Sequence, residues 1–314
     1  MHIRLPQEVP LPVRSVLLMI LTAGLTGCHP GNAETKRLGT ACESGDAGAC
    51  DSLGSRLRRG EYVLRDEVRA ARLFEGACKA GVGESCASLG TMLQDSSAGA
   101  RDSARAIALF QQACDRRAMD GCAELGVLYK EGAGVPADPA RARSLFTEAC
   151  DGGQTTACAH LGTLHVTGRG APHDVVTAAA LFQRACGDSV PLGCLGLGRL
   201  HVAGQAVSQN DSIAVTLFER ACDDGEIDGC LELAMALEAG RGAPQDYERA
   251  ANLYRDVCEE DVAAGCVRLA GLHDKGAGVS RDEEFAGTLR QKACRLGDAP
   301  SCAKQVAPRP GTVS

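Results

Sequence analysis

Residues 122–158 read CAELGVLYKEGAGVPADPARARSLFTEACDGGQTTAC, and this stretch decides the fold. Small and apolar side chains at 122, 123, 125, 126, 128 and 129 recur with the 3.6-residue period of a helix, here helix A, over roughly Gly121 to Glu131. Gly132-Ala133-Gly134 breaks the period, since glycine supplies the positive φ that a tight helix exit needs. Asp138-Pro139 opens a second helix, B: the Asp carboxylate accepts from orphan amides, and Pro at the first helical position sacrifices no bond. Helix B runs to about Cys150, where Asp151-Gly152-Gly153 stops it and leads into the next helix A.

The same register governs the chain in both directions. Cysteines fall at Cys42/Cys50, Cys78/Cys86, Cys114/Cys122, Cys150/Cys158, Cys186/Cys194, Cys222/Cys230, Cys258/Cys266 and Cys294/Cys302, each pair Cys-x7-Cys and successive pairs 36 residues apart. Leu53, Leu89, Leu125, Leu161, Leu197, Leu233 and Leu269 precede Gly54, Gly90, Gly126, Gly162, Gly198, Ala234 and Ala270. Ala70, Ala106, Ala142, Ala178, Ala214, Ala250 and Ala286 form another column. Asp66, Asp102, Asp138, Asp174, Asn210, Asp246 and Asp282 form a column of cap residues. A ladder at Phe74, Phe110, Phe146, Phe182, Phe218 and Tyr254 takes five of the six Phe. With no Trp, 4 Tyr and 38 Gly, the chain lacks the aromatic anchors of one large core and suits close-packed helices in a quasi-one-dimensional stack.

Each Cys-x7-Cys links the end of one helix B to the start of the next helix A, near neighbours in an antiparallel hairpin and within disulfide reach. Closing a loop of roughly nine residues contributes about 2.5 kcal/mol, so eight bridges supply at most ~20 kcal/mol. The pairing rests on spacing alone, and sixteen cysteines admit many others. Zinc sites prefer Cys-x2-4-Cys with a second pair close by, so no metal or other cofactor is expected.

The N-terminus carries Arg4 and Arg14, the apolar run Val16 to Leu21, and then Leu25-Thr26-Gly27-Cys28. This reads as a secretory signal over 1–27, too short for a membrane span, ending in a bacterial lipobox whose Cys28 is the lipidated residue. Parity agrees, since removing Cys28 from the 17 cysteines leaves sixteen. His29, in place of the Asp that retains lipoproteins in the inner membrane of many Gram-negative bacteria, favours the outer membrane, facing periplasm or cell surface. Residues 28–40 read as the lipidated Cys and a tether, 41–304 as about seven repeats and 305–314 as a flexible tail. The net charge of −7 becomes −8 once Arg4, Arg14 and Glu8 leave with the signal, which argues against nucleic acid as a partner.

The pattern Leu125-Gly126-x-Leu128-Tyr129-x2-Gly132-x-Gly134-Val135-x2-Asp138-x3-Ala142 resembles the Sel1-like repeat, a relative of the tetratricopeptide repeat. With Cys-x7-Cys in every unit the chain is similar more narrowly to the Helicobacter cysteine-rich protein family. The resemblance implies an all-α, right-handed superhelical solenoid of antiparallel two-helix repeats that binds a protein or peptide ligand in the cell envelope. It also implies an alternative, penicillin binding or weak β-lactamase activity.

For that alternative the residues offer little. Ser301-Cys302-Ala303-Lys304 has Ser-x-x-Lys spacing, but no Ser-Asp-Asn or Lys-Thr-Gly accompanies it and Cys302 is assigned to a bridge, so no catalytic residue is expected. Tyr129, His165, His201 and His273 share one column, read as a half-buried ring position or as a pH-sensitive or peptide-contacting stripe. Ser88, Glu124, His160, Gly196, Glu232 and Arg268 vary within helix A, where a rigid repeat can present different side chains to a ligand or simply face solvent. No binding residue is assigned.

Overall fold

A computed structural model describes residues 30–95 and 103–305. The signal segment, Cys28, Asp102 and residues 306–314 lie outside them. The chain divides into two compact units at Arg116. Unit 1 holds α1 (Pro30–Glu43), α2 (Ala47–Arg59), α3 (Glu67–Lys79), α4 (Gly83–Gln94) and α5 (Ser103–Asp115). Unit 2 holds α6 (Met119–Glu131), α7 (Pro139–Asp151), α8 (Thr155–Thr167), α9 (Val175–Gly187), α10 (Pro191–Ala203), α11 (Asp211–Asp223), α12 (Ile227–Ala239), α13 (Tyr247–Glu259), α14 (Ala263–Lys275), α15 (Glu283–Arg295) and α16 (Ala299–Gln305). Among the described residues every element is a helix, and the class is an all-α repeat solenoid of antiparallel A and B helices.

Helix A of the quoted repeat starts at Met119, one turn-fraction earlier than its apolar pattern announces. The larger difference is at the N-terminus: the residues read as a tether are helical from Pro30. Helix α1 stands where a helix B would stand one period before α3, but Pro30, Glu34 and Leu38 replace the Asp, Ala and Phe of the columns. Arg56 of α2 holds it instead. Its guanidinium donates to Thr35 Oγ1 (2.8 Å) and to the Gly31 carbonyl (3.1 Å) and pairs with Glu34 (2.7 Å).

Elsewhere the punctuation acts as written. Asp138 accepts from the amides of Ala140 and Arg141, Asp174 from Val176 and Thr177, and Asn210, Asp246 and Asp282 each from the amide three residues on. Gly132, Gly168, Gly204, Gly240 and Gly276 end the A helices of unit 2 in the left-handed region. The B→A turns carry the bridges. Cys78–Cys86, Cys150–Cys158, Cys186–Cys194, Cys222–Cys230 and Cys258–Cys266 hold α-carbons 4.5–4.8 Å apart, as do the terminal pairs Cys42–Cys50 and Cys294–Cys302. Cys114 and Cys122 are disulfide-bonded as well. A cation in the last turn of helix B reaches back to the preceding B helix: Arg220 donates to the Cys186 carbonyl (2.9 Å) and Lys292 to that of Cys258 (2.7 Å), adding a charged donor to carbonyls that also accept the amides of Ser189 and Asp261.

The core is a row of aromatic slots. Phe74 and Phe110 in unit 1, and Phe146, Phe182 and Phe218 in unit 2, lie at 0–3% exposure against the glycine of the preceding helix A. A Cβ at Gly90, Gly126 or Gly198 would come within 2.6–2.7 Å of the facing ring, closer than packed carbons approach. The Leu-Gly column therefore exists because phenylalanine needs the room.

Candidate functional site

The surface that differs from repeat to repeat is on the A helices. In unit 2 these also pack on one another, α8 against α10 and α10 against α12, and Arg268 of α14 reaches α12. Helical spacing of i, i+4, i+7 and i+11 puts one stripe on the outer side of each helix. On α8 it holds Thr156, His160, Thr163 and Thr167; on α10, Leu192, Gly196, Arg199 and Ala203; on α12, Asp228, Glu232, Met235 and Ala239; on α14, Ala264, Arg268, Gly271 and Lys275.

Arg199 of α10 crosses to α12, donating to Glu232 (2.8 Å) and pairing with Asp228 (3.2 Å). Burial works against its charge, but Glu232 and Asp228 outweigh burial and raise its pKa, so the guanidinium stays charged. Arg268 of α14 lies 3.7 Å from both Glu238 and the Met235 sulfur of α12. Burial, with the nearby Asp228 charge, also raises the Glu226 carboxyl, at the same end of α12. The stripe therefore runs from hydroxyls and an imidazole on α8, through a small apolar strip on α10, to paired charges on α12 and α14.

Of the varying column read in the sequence, His160, Gly196, Glu232 and Arg268 lie in this stripe, half packed, while Ser88 is on α4 of unit 1 and Glu124 on α6. His160 stacks on Phe146 (centroids 5.1 Å, planes 24°), and a Cβ at Gly196 would meet Phe182 at 2.6 Å. Each ring thus lies between a glycine on one side and a stripe residue on the other. Burial, and then Lys130, lower the His160 pKa to about 4, so the ring is neutral at physiological pH. Glu232 and Arg268 turn instead to the charge pairs above.

The His column serves the scaffold. His165, His201 and His273 each place Nδ1 3.0–3.2 Å from the carbonyl seven residues on, those of Pro172, Ser208 and Ser280. A carbonyl only accepts, so Nδ1 carries the proton. The same residues' own carbonyls accept the amide of the helix-B cap, at 3.1 Å in each case. The rings clasp the A→B turn.

Ser301 is 3% exposed. It occupies the column of Ala157, Gly193, Gly229 and Gly265, where a larger residue would strike the preceding helix B: a Cβ at Gly193 or Gly229 meets an alanine Cβ at 2.6–2.7 Å. Its small size is the reason for its place, and burial denies it to a substrate. A cavity of about 30 Å³ between α10, α11 and α12, lined by Val202, Phe218, Glu232 and Arg241 among others, has room for a water and far less than a small-molecule pocket needs. In unit 2 the arrangement suits contact along an extended surface.

Antiparallel helix pairs, stacked through fixed columns and varying on one face, define a repeat solenoid. The family model described as the Sel1 repeat matches residues 47–82, 83–117, 120–154, 155–187, 191–226, 227–255 and 263–298, and the chain belongs to that family. Among solved structures it is similar to a protective antigen of uropathogenic Escherichia coli with an SLR fold (25% identity, 85% of this chain, TM-score 0.63). It covers 57% of that antigen's length. A Sel1 repeat protein from Oxalobacter formigenes aligns at 22% identity over 87% of this chain and 80% of its own, with a TM-score of 0.63. Cysteine-rich protein B of Helicobacter pylori shares 28% identity over 42% of this chain and 95% of its own, with a TM-score of 0.35. No curated protein matches in sequence. The bridges belong to an oxidising, extracytoplasmic compartment, and among the described residues no helix is long and apolar enough to cross a membrane.

Proposed function

We propose that the chain is an envelope lipoprotein, anchored through Cys28 in the outer membrane, whose A-helix stripe in unit 2 binds an extended segment of a protein partner. One observation carries the recognition reading: the stripe changes chemistry from α8 to α14 while the helices that carry it recur with one 36-residue register. Hydroxyls, a neutral imidazole and oriented charge pairs at successive repeats give a peptide main chain and its side chains distinct contacts at each step. A photo-reactive side chain at Thr163 or Met235 is expected to yield one discrete adduct in growing cells, and the same group at Thr147 or Arg255 on B helices none. Adducts from the B positions alone would overturn the assignment.

The anchor is tested separately. Labelled palmitate is expected in the wild-type chain and not in Cys28→Ser, which should leave the membrane fraction. The competing reading, acylation by a β-lactam, comes from the family resemblance and finds in Ser301 a side chain with no open approach. A fluorescent penicillin is expected to leave the chain unlabelled, and Ser301→Ala to change nothing.

A further inference from the structure

Three of the eight large apolar side chains most exposed among the described residues fall within seven residues of unit 1: Tyr62 at 52%, Leu64 at 91% and Val68 at 64%. They belong to the turn from α2 to α3 and to the first turn of α3. The turn itself does not ask for them. The equivalent pairs are Gly134/Pro136, Gly170/Pro172, Ala206/Ser208, Gly242/Pro244 and Gly278/Ser280, and Tyr62 takes a left-handed φ of 58° that glycine adopts without cost. Tyr62 packs part of its ring on Gly31, but a fully projecting leucine in a position of Pro and Ser, with Val68 beside it, has a reason outside this fold.

Two observations indicate what they meet. The first is charge. Between residues 56 and 72 stand Arg56, Arg58, Arg59, Arg65, Arg69 and Arg72 against Glu61, Asp66 and Glu67, a net of +3 in a chain of −7. Arg59, Arg65, Arg69 and Arg72 are exposed. The second is where the chain leaves the fold. The Tyr62 ring covers Gly31 so closely that a Cβ there would lie 2.5–2.6 Å from ring carbons, and Arg56 sits 5.6 Å from the same ring while donating to the Gly31 carbonyl. The start of α1 is therefore fastened to this edge. Cys28 is three residues upstream of Gly31, so at most about 11 Å of chain separates an acyl anchor from the exposed apolar turn.

We infer that the α2–α3 turn of unit 1 is a membrane-seating edge, in which Leu64, Tyr62 and Val68 enter the interface of an anionic bilayer while the surrounding arginines meet lipid phosphates. The inference rests on the lipoprotein reading for its source of membrane. Tyrosine has an apolar ring and a polar tip, which suits the headgroup level, and long arginine stems let the charge reach phosphate while their methylenes stay apolar. An acyl anchor holds a protein near a surface without setting its orientation; an apolar turn with basic flanks sets it.

The absence of Trp from the chain makes the test direct. Leu64→Trp in the full exported chain introduces one emitter at the proposed contact, and Val176→Trp, a site 69% exposed on a helix B of unit 2, is the control. Both proteins are reconstituted in phosphatidylethanolamine–phosphatidylglycerol vesicles with bromine-labelled acyl chains. Emission from position 64 is expected to move to shorter wavelength and to be quenched severalfold more by bromine than emission from 176, with aqueous iodide giving the reverse. Adding Arg65→Gln and Arg69→Gln should return position 64 toward water. Emission from 64 that stays as water-like as that from 176, or that is shielded from iodide without bromine quenching, overturns the inference. Intact mass of the wild-type N-terminus reads the anchor independently. An unlipidated chain whose position 64 still enters anionic vesicles refutes the anchor and keeps the edge; a lipidated chain whose position 64 stays in water does the opposite.

Discussion

Phe146 and Tyr254 occupy the same place three repeats apart in unit 2, yet they are held in different ways. Phe146 lies flat between Gly126 and the His160 ring. Tyr254, equally buried, has Ala234 where the first slot has glycine, and its hydroxyl donates to Glu238 of α12 at 2.7 Å. Burial and then that hydrogen bond hold the phenol protonated, so it donates throughout the neutral range. One repeat further on Arg290 replaces the aromatic, Ala270 replaces the glycine, and Arg290 pairs with Asp274, sixteen residues upstream as Glu238 is from Tyr254. The glycine, the ring and the residue sixteen before it change as a set. A bare ring requires glycine and no acid; a side chain with a donor tolerates alanine and requires an acid.

The sharpest break of this comparison is Phe146→Ala, expected to cost about 4 kcal/mol in urea unfolding of the oxidised chain, against under about 1.5 for Arg290→Ala, whose side chain is 21% exposed and ion-paired. Next comes pH. His160 carries a folded pKa of about 4 against 6.5 unfolded, so the unfolded state binds the extra proton. Stability is unaffected above about pH 6.5 and falls as pH drops toward 4, by at most about 3 kcal/mol. His160→Gln is expected to flatten that part of the melting profile, and an unchanged slope would remove His160 as its source.

Gly162→Ala, which drives a Cβ to 2.8 Å from Phe182, is expected to cost about 2 kcal/mol, whereas Ala234→Gly costs about 1 through backbone entropy alone. Equal costs would mean the slots are interchangeable. The smallest effect is Tyr254→Phe, about 1 kcal/mol from the lost hydrogen bond and the acid left behind. Combining it with Ala234→Gly and Glu238→Val rebuilds the phenylalanine slot, and the triple variant should be more stable than the sum of its parts predicts.

Much of this frame is legible in the sequence because it is local. Helix caps, glycine exits and Cys-x7-Cys spacing act within ten residues, and the 36-residue period repeats them until chance is excluded. The coupling between Gly126 and Phe146 spans twenty residues and appears in the sequence as two separate columns; only packing joins them. Helix α1 escapes notice because Pro30, Glu34 and Leu38 break every column and Arg56 replaces the missing slot with hydrogen bonds. The histidine column is legible as a ring position but not as a turn clasp, since its acceptor is a main-chain carbonyl with no sequence signature. The stripe on α8 to α14 is legible at one position per repeat, His160, Gly196, Glu232 and Arg268, and its other positions follow only from the packing of the A helices. Tyr62 and Leu64, by contrast, stand in columns of Gly or Ala and of Pro or Ser, a departure visible in the sequence.

The bridges also determine how each repeat withstands a protease. A cut between Cys222 and Cys230 leaves the two products joined through sulfur, so the stack keeps its neighbours in place after the main chain is severed. A cut in the opposite turn, between Gly240 and Asp246, has no such tie and releases everything beyond it from covalent attachment. One edge of every repeat can be nicked without separating the chain and the other cannot.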